Sequence, residues 1–114
     1  MARVTSDFWV SAYLRRCGVE NVAAMLRKRG AAEAGAVFVK VDRLDGTATL
    51  FGPAPQTAFE GASPDRLFAR AHAQDLIEAA AAEERLRREL RFDPDLWIVE
   101  VEDRAGRHFL DLAE

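Results

Sequence analysis

The sequence predicts a single α+β domain, and three stretches carry that reading. An apolar stripe at helical spacing lies near the N-terminus. GAVFVKVDRLDGTATLF alternates around an Asp45-Gly46 dipeptide, and a run of strong helix formers beginning near Gln74 precedes a second alternating stretch, LWIVEVE. The expected architecture is an N-terminal helix, a mainly antiparallel sheet built as a meander, a second helix and a C-terminal β-hairpin.

The 114 residues suit one domain, 1–114, of a size that buries roughly two-thirds of its unfolded surface. With 49% hydrophobic and 31% charged residues, the composition fits a globular protein and argues against disorder. MARVTSDFW has no signal-peptide core, and no apolar run approaches the roughly 20 residues of a membrane span, so the expected compartment is the cytoplasm. Cys17 is the only cysteine, which excludes an internal disulfide and a cysteine zinc cage.

The first helix has capping oxygens in Thr5 and Ser6 and an acidic first turn in Asp7, with Gly18 placed to end it in a left-handed cap. Trp9, Val10, Tyr13, Leu14 and Cys17 form its apolar stripe, while Asp7, Ser11 and Arg15 form a polar one. VAAMLRKRG reads either as more helix or as a strand, its shortness and flanking glycines suiting the strand. In the next stretch, Asp45-Gly46 predicts a two-residue type I′ hairpin turn. Pairing Leu44 with Thr47 then sets Val41 opposite Leu50 and Lys40 opposite Phe51. One face carries Val39, Val41, Ala48 and Leu50; the other carries Phe38, Lys40, Asp42, Leu44, Thr47, Thr49 and Phe51.

Gly52 to Pro64 is rich in Gly, Pro, Ala, Ser and Thr and reads as a long loop, a candidate lid or partner-binding segment. Ser63-Pro64-Asp65 matches a helix start, yet DRLFARA also reads as a short strand. DLIEAAAAEERLRREL is helical, with Leu76, Ala79, Ala82, Leu86 and Leu90 on its apolar edge and the pairs Glu83–Arg87 and Glu84–Arg88 at i, i+4. Pro94 stops it near Phe92, and Asp93-Pro94-Asp95 makes a turn. In the strand that follows, Trp97, Val99 and Val101 point one way and Ile98, Glu100 and Glu102 the other. A hairpin loop at Asp103 to Gly106 would set Glu102 against Arg107 and Glu100 against Phe109.

The carboxylates Glu100, Glu102 and Asp103, with Asp111 nearby, are the candidate catalytic or metal-binding group, since hard cations take several oxygens. Their spacing matches neither an EF-hand loop nor HExxH, and a countercharge from Arg107 makes them structural. Gly30 and Gly35 have phosphate-loop spacing, but Ala36-Val37 replaces the lysine and hydroxyl that carry that chemistry. Cys17 with His72 or His108 could form a thiol pair, though a cysteine on an apolar helix stripe reads as core. No motif calls for a cofactor.

The net charge of −3 is uneven. Met1 to Gly30 holds six basic residues against two acidic ones, leaving −7 for the remainder. Arg15, Arg16, Arg27, Lys28 and Arg29 could meet a phosphate polymer, but the acidic pI of about 5.4 disfavours nucleic acid. A self-associating module needs no missing residue. If the helices cover the Val39 and Val99 face, Phe38, Phe51, Ile98 and Phe109 remain on the other face as a homodimer interface; helices on opposite faces would instead bury everything apolar within one chain. The two function classes are thus a non-enzymatic interaction module and a small metal-dependent hydrolase or nucleic-acid-acting enzyme using Glu100, Glu102 and Asp103.

TSDFWVSAYLRR, GAVFVKVDRLDGTATLF and RFDPDLWIVEVEDRAGRHFLD together resemble a family of short, mainly alphaproteobacterial proteins catalogued as domain of unknown function 1491. The likeness spans nearly the whole chain, with FDPDLW and EVED its most specific parts. The resemblance implies no activity, substrate or cofactor. It favours strands for VAAMLRKRG and DRLFARA and supports a single cytoplasmic domain.

Overall fold

The computed structural model describes residues 4–55 and 66–113. Its elements are α1 (Ser6–Val19), β1 (Ala23–Lys28), β2 (Val37–Asp42), β3 (Thr47–Pro53), β4 (Phe68–Arg70), β5 (Ile77–Glu78), α2 (Ala79–Phe92) and β6 (Trp97–Glu102). Both segments that the sequence left between helix and strand are strands. Ser63-Pro64-Asp65 and most of the expected 52–64 loop lie outside the described residues; Gly52 and Pro53 belong to β3. Among the described residues no helix is long and apolar enough to cross a membrane.

The α1 helix starts where the caps predict, Thr5 accepting from the Phe8 amide, and buries Ser6, Val10, Tyr13 and Cys17. Its end differs from expectation. Gly18 is ordinary helix, and the left-handed residue is Asn21 at φ 60°, with Val22 N bonded to Cys17 O at 2.9 Å and Asn21 N to Gly18 O at 3.1 Å. Asparagine tolerates that conformation, and the buried Val22 seals the cap.

The sheet is mixed and not a simple meander. Its order is β1-β6-β2-β3-β4, with β5 also pairing β3. β6 runs parallel to β2, Trp97 to Glu102 facing Val37 to Asp42 in register, and antiparallel to β1. Both edges of β6 are occupied, so the expected C-terminal hairpin has no place to form. The chain instead returns to the far edge, where Asp111 O accepts from Phe68 N and Ala113 N donates to Phe68 O, both at 2.8 Å.

The β2–β3 register is one residue from that expected: Val39 faces Phe51, Lys40 faces Leu50 and Val41 faces Thr49. The turn takes three residues, with Leu44 at φ 64° and Gly46 at φ 90°, and is braced by Asp42 and Asp45 side chains accepting from Leu44 N and Thr47 N. A slip of one residue reverses the faces. Phe51 therefore joins Val39, Val41, Trp97, Val99 and Val101 beneath α1, while Leu50 joins Phe38, Ala48 and Ile98 beneath α2.

With one helix on each face, Phe38, Phe51 and Ile98 are 8%, 5% and 4% exposed, and Phe109 packs against the α1 core. The exposed apolar sheet face expected from these four residues does not exist in this chain. The second helix begins later than Gln74 because Ile77 and Glu78 pair with Ala48 and Thr47, which leaves Leu76 exposed. It ends at Phe92, before Pro94, as predicted.

The connector from Gly30 to Gly35 is held between α1 and the Asp95–Trp97 backbone. Ser6 N and Asp7 N donate to Glu33 O and Ala32 O; Ala31 N donates to Asp95 O, and Trp97 Nε1 returns a bond to Ala31 O. A Cβ on Gly30 would lie 2.2 Å from Asp95 O, and one on Gly35 2.6 Å from the same atom. The phosphate-loop spacing is thus a packing requirement. Gly30→Ala is expected to cost more than about 2 kcal/mol by forcing backbone apart. Gly18→Ala, with nothing within 4 Å of its Cβ, should gain about 0.5–1 kcal/mol of helix propensity. Urea denaturation of both variants checks this; equal midpoints would contradict the close approach.

Candidate functional site

The sequence-predicted carboxylates do not converge. Parallel pairing of β2 with β6 sets Lys40 beside Glu100 and Asp42 beside Glu102, all on the α2 face. The bulge in β1 between Leu26 and Lys28 leaves Arg27 free to reach over that face, and Glu83 comes from the first two turns of α2. Arg27 grips Glu83 with two hydrogen bonds, 2.7 and 2.8 Å, and Glu100 with one of 3.0 Å. Lys40, its side chain only 6% exposed, donates to Glu83 at 2.6 Å and lies 3.7 Å from Asp42 and 3.9 Å from Glu100.

This is a satisfied ion network. Hydrogen bonds from Arg27 first, and then the neighbouring Lys40, outweigh partial burial and hold the Glu83 carboxyl down at about 2. The Arg27 guanidinium is pushed up in return, chiefly by its bond to Glu83. The expected Glu83–Arg87 pair gives way to these cross-element partners; Arg87 lies 4.0 Å from Glu84 instead.

Asp103 lies beyond the end of β6, where its carboxylate accepts from Arg107 N, Nε and Nη2 at 2.8, 3.1 and 3.0 Å and is held low by them. Arg107 is therefore the countercharge of Asp103 and not of Glu102, a consequence of the missing hairpin. Glu102 sits between Ala23 and Asp42 with no ion pair among the described residues. Among those residues no group of three or more His, Cys, Asp or Glu side chains is placed to share a metal.

Most of the basic cluster is also engaged. Lys28 donates to the carbonyls of Arg29, Pro94 and Leu96, and Arg29 pairs with Asp7 at 3.3 Å and lies over Trp97. Cys17 is fully buried in the α1 core, which pushes its thiol up. His72 Nε2 takes the Leu50 amide, and His108 Nδ1 takes that of Leu110; burial keeps His108 below its ordinary value. Neither histidine is hydrogen-bonded to the thiol.

Two features escaped the sequence reading. Phe8 and Val19, 65% and 75% exposed, lie on the outward side of α1. Their i, i+4, i+11 spacing with Ala12 lies in the sequence beside the stronger inward stripe of Trp9, Val10, Tyr13, Leu14 and Cys17. The second is a pocket between α1 and the returning C-terminal segment, lined by Trp9, Ala12, Tyr13, Arg16, Arg66, Phe109 and Asp111. It joins residues up to 102 positions apart, so no local pattern marks it.

A family model described as a protein of unknown function, DUF1491, matches residues 4–111. A crystal structure of a DUF1491 family protein from Caulobacter crescentus is 38% identical, with a TM-score of 0.77 over 96% of this chain and 94% of that one. An NMR structure of a Caulobacter crescentus member of the family is 37% identical, with a TM-score of 0.80 over 100% and 99%. A solution structure of an A. tumefaciens protein is 36% identical, with a TM-score of 0.81 over 99% and 97%. No curated protein matches the chain.

The ion network makes a pH prediction. Glu83 sits at about 2 when folded, against an ordinary 4.5. A carboxyl depressed in the folded state stabilises fully above its unfolded value and loses that contribution as pH falls through the folded one. Stability should therefore drop between about pH 4.5 and 2, by at most about 3 kcal/mol and less given Glu83's partial solvation. In urea titrations across this range, Glu83→Gln should flatten that part of the profile and cost about 1–3 kcal/mol near neutrality, because Lys40 and Arg27 lose the carboxylate charge they share. An unchanged profile in the variant would count against the network.

Proposed function

The chain belongs to the DUF1491 family, and on that footing we infer from its surface that it is a cytoplasmic, non-enzymatic interaction module that associates with a second copy of itself. The observation that carries this reading is the outward face of α1. Phe8, Ala12, Arg15 and Val19 are spaced 4, 3 and 4 residues apart, the spacing of a helix–helix seam, and lie opposite Val10, Tyr13 and Cys17. An ordinary surface helix is polar there. Here two large apolar side chains flank a small one, which allows close approach of another helix.

The polar flank supports a copy of the same helix as the occupant. Asp7 and Arg15 lie eight residues apart with Ser11 between, so an antiparallel two-fold pair centred near Ser11 brings each Asp7 to the partner's Arg15, with Val19 near the start of the partner's helix. The same arrangement opposes the two helix dipoles. Asp7's existing bond to Arg29 is long and solvated, 3.3 Å with both side chains at least half exposed, and yields readily. A 14-residue helix is about 21 Å long, so the contact falls below a standard interface and its association is weak. The enzymatic alternative is less well supported, since Glu100 and Asp103 are committed to Arg27, Lys40 and Arg107.

Light scattering over a micromolar concentration series should show a monomer–dimer equilibrium. Phe8→Glu and Val19→Glu should each abolish the dimer while leaving thermal stability within about 0.5 kcal/mol, as exposed sites do. Asp7→Arg and Arg15→Asp should each weaken it, and the two together should restore part of the loss. A strictly monomeric mass at high micromolar concentration would end this reading.

A further inference from the structure

The pocket between α1 and the C-terminal segment has a volume of about 180 Å³ and is open to solvent. Its floor and one wall are an ordered aromatic array. Trp9 stacks on Tyr13 with centroids 4.9 Å apart and planes within 10°, and tilts against Phe68 at 5.1 Å. The Tyr13 hydroxyl donates to His108 O at 2.7 Å, tying the helix to the segment that forms the opposite wall.

That wall is built around Phe109, which adopts φ 56°. The other two non-glycine residues with positive φ among the described residues, Asn21 and Leu44, sit at a helix end and in a hairpin turn. Phe109 is at neither, and a large aromatic residue in left-handed geometry is a conformation that recurs at ligand sites. The neighbouring backbone is fixed by Leu110 N donating to His108 Nδ1. The result is a ring at the pocket with the Arg16 guanidinium 5.2 Å from its centroid.

Arg16 has no carboxylate within ion-pair distance among the described residues, so its charge is available at the pocket. Asp111 contributes a carboxylate, while Arg66 also lines the space and donates to Ser6 Oγ and Val4 O. The volume lies below the roughly 300 Å³ at which drug-sized pockets begin and is near that of one ring system. An aromatic lining beside an exposed guanidinium recognises flat groups bearing negative charge, which meet ring edges as well as faces.

We propose that this pocket binds a single planar aromatic or heteroaromatic ring carrying an acidic group, the ring held among Trp9, Tyr13 and Phe109 and the anion by Arg16. Asp111 is placed to accept an N–H from a heterocycle. A free aromatic carboxylate and a mononucleotide both supply this chemistry.

The full chain is titrated with benzoate, adenosine monophosphate, inorganic phosphate and uncharged benzamide, followed by tryptophan fluorescence and by amide NMR shifts. Trp9 reports on the pocket, whereas Trp97 is buried in the core. Benzoate or the nucleotide should saturate, with shifts confined to α1 and residues 108–111, and the tighter of the two identifies the source. Arg16→Gln should weaken binding at least about tenfold. Phe109→Gly suits the left-handed backbone but removes a ring packed on the α1 core; its amide NMR spectrum checks the fold, and the folded variant should also lose affinity. The proposal is overturned if neither acid saturates by about 10 mM, if benzamide or phosphate alone binds as tightly, or if both variants fold and bind like the parent.

Discussion

The structure depends on the insertion of β6 between β1 and β2. Its backbone supplies hydrogen-bond partners to two strands that would otherwise have none in common, and its side chains serve both cores. Trp97, Val99 and Val101 enter the one beneath α1, while Ile98, preceded by Leu96, enters the one beneath α2. The turn leading into β6 also receives the Gly30–Gly35 connector, whose glycines permit contact with the Asp95 carbonyl. Strand, connector and the start of α1 thus form one assembly.

Much of this was legible locally. Thr5, the inward stripe of α1, the alternation in VFVKVD and WIVEVE, and Pro94 each act on near neighbours, and each had the expected effect. What failed was decided at longer range. Leu44 in a left-handed turn moved the β2–β3 register by one residue, and no propensity rule assigns leucine that role. Whether WIVEVE takes a hairpin partner or slides between two earlier strands depends on which edges are vacant. The single-residue slip and the placement of the helices on opposite faces then changed the fate of Phe38, Phe51 and Ile98 from surface to core.

The partners of the carboxylates were misassigned for a related reason. Alternation correctly separates Glu100 from Val99 and Val101, but alternation cannot say that α2 roofs that face and brings Glu83 down to Lys40. Burying Lys40 is costly unless its partners are fixed, and an apolar residue of similar volume there is compatible with equal stability. The network's directional bonds connect β1, β2, β6 and α2 at once.

The position of β6 also sets an order of events during synthesis. β1 and β2 are finished by residue 42, yet the strand that joins them spans residues 97–102. Until that stretch leaves the ribosome, β1 and β2 lack the strand that lies between them in the finished sheet. A chain that ends between β3 and Trp97 lacks the strand that closes both cores and exposes the apolar faces of β2 and β3, the kind of surface that invites aggregation.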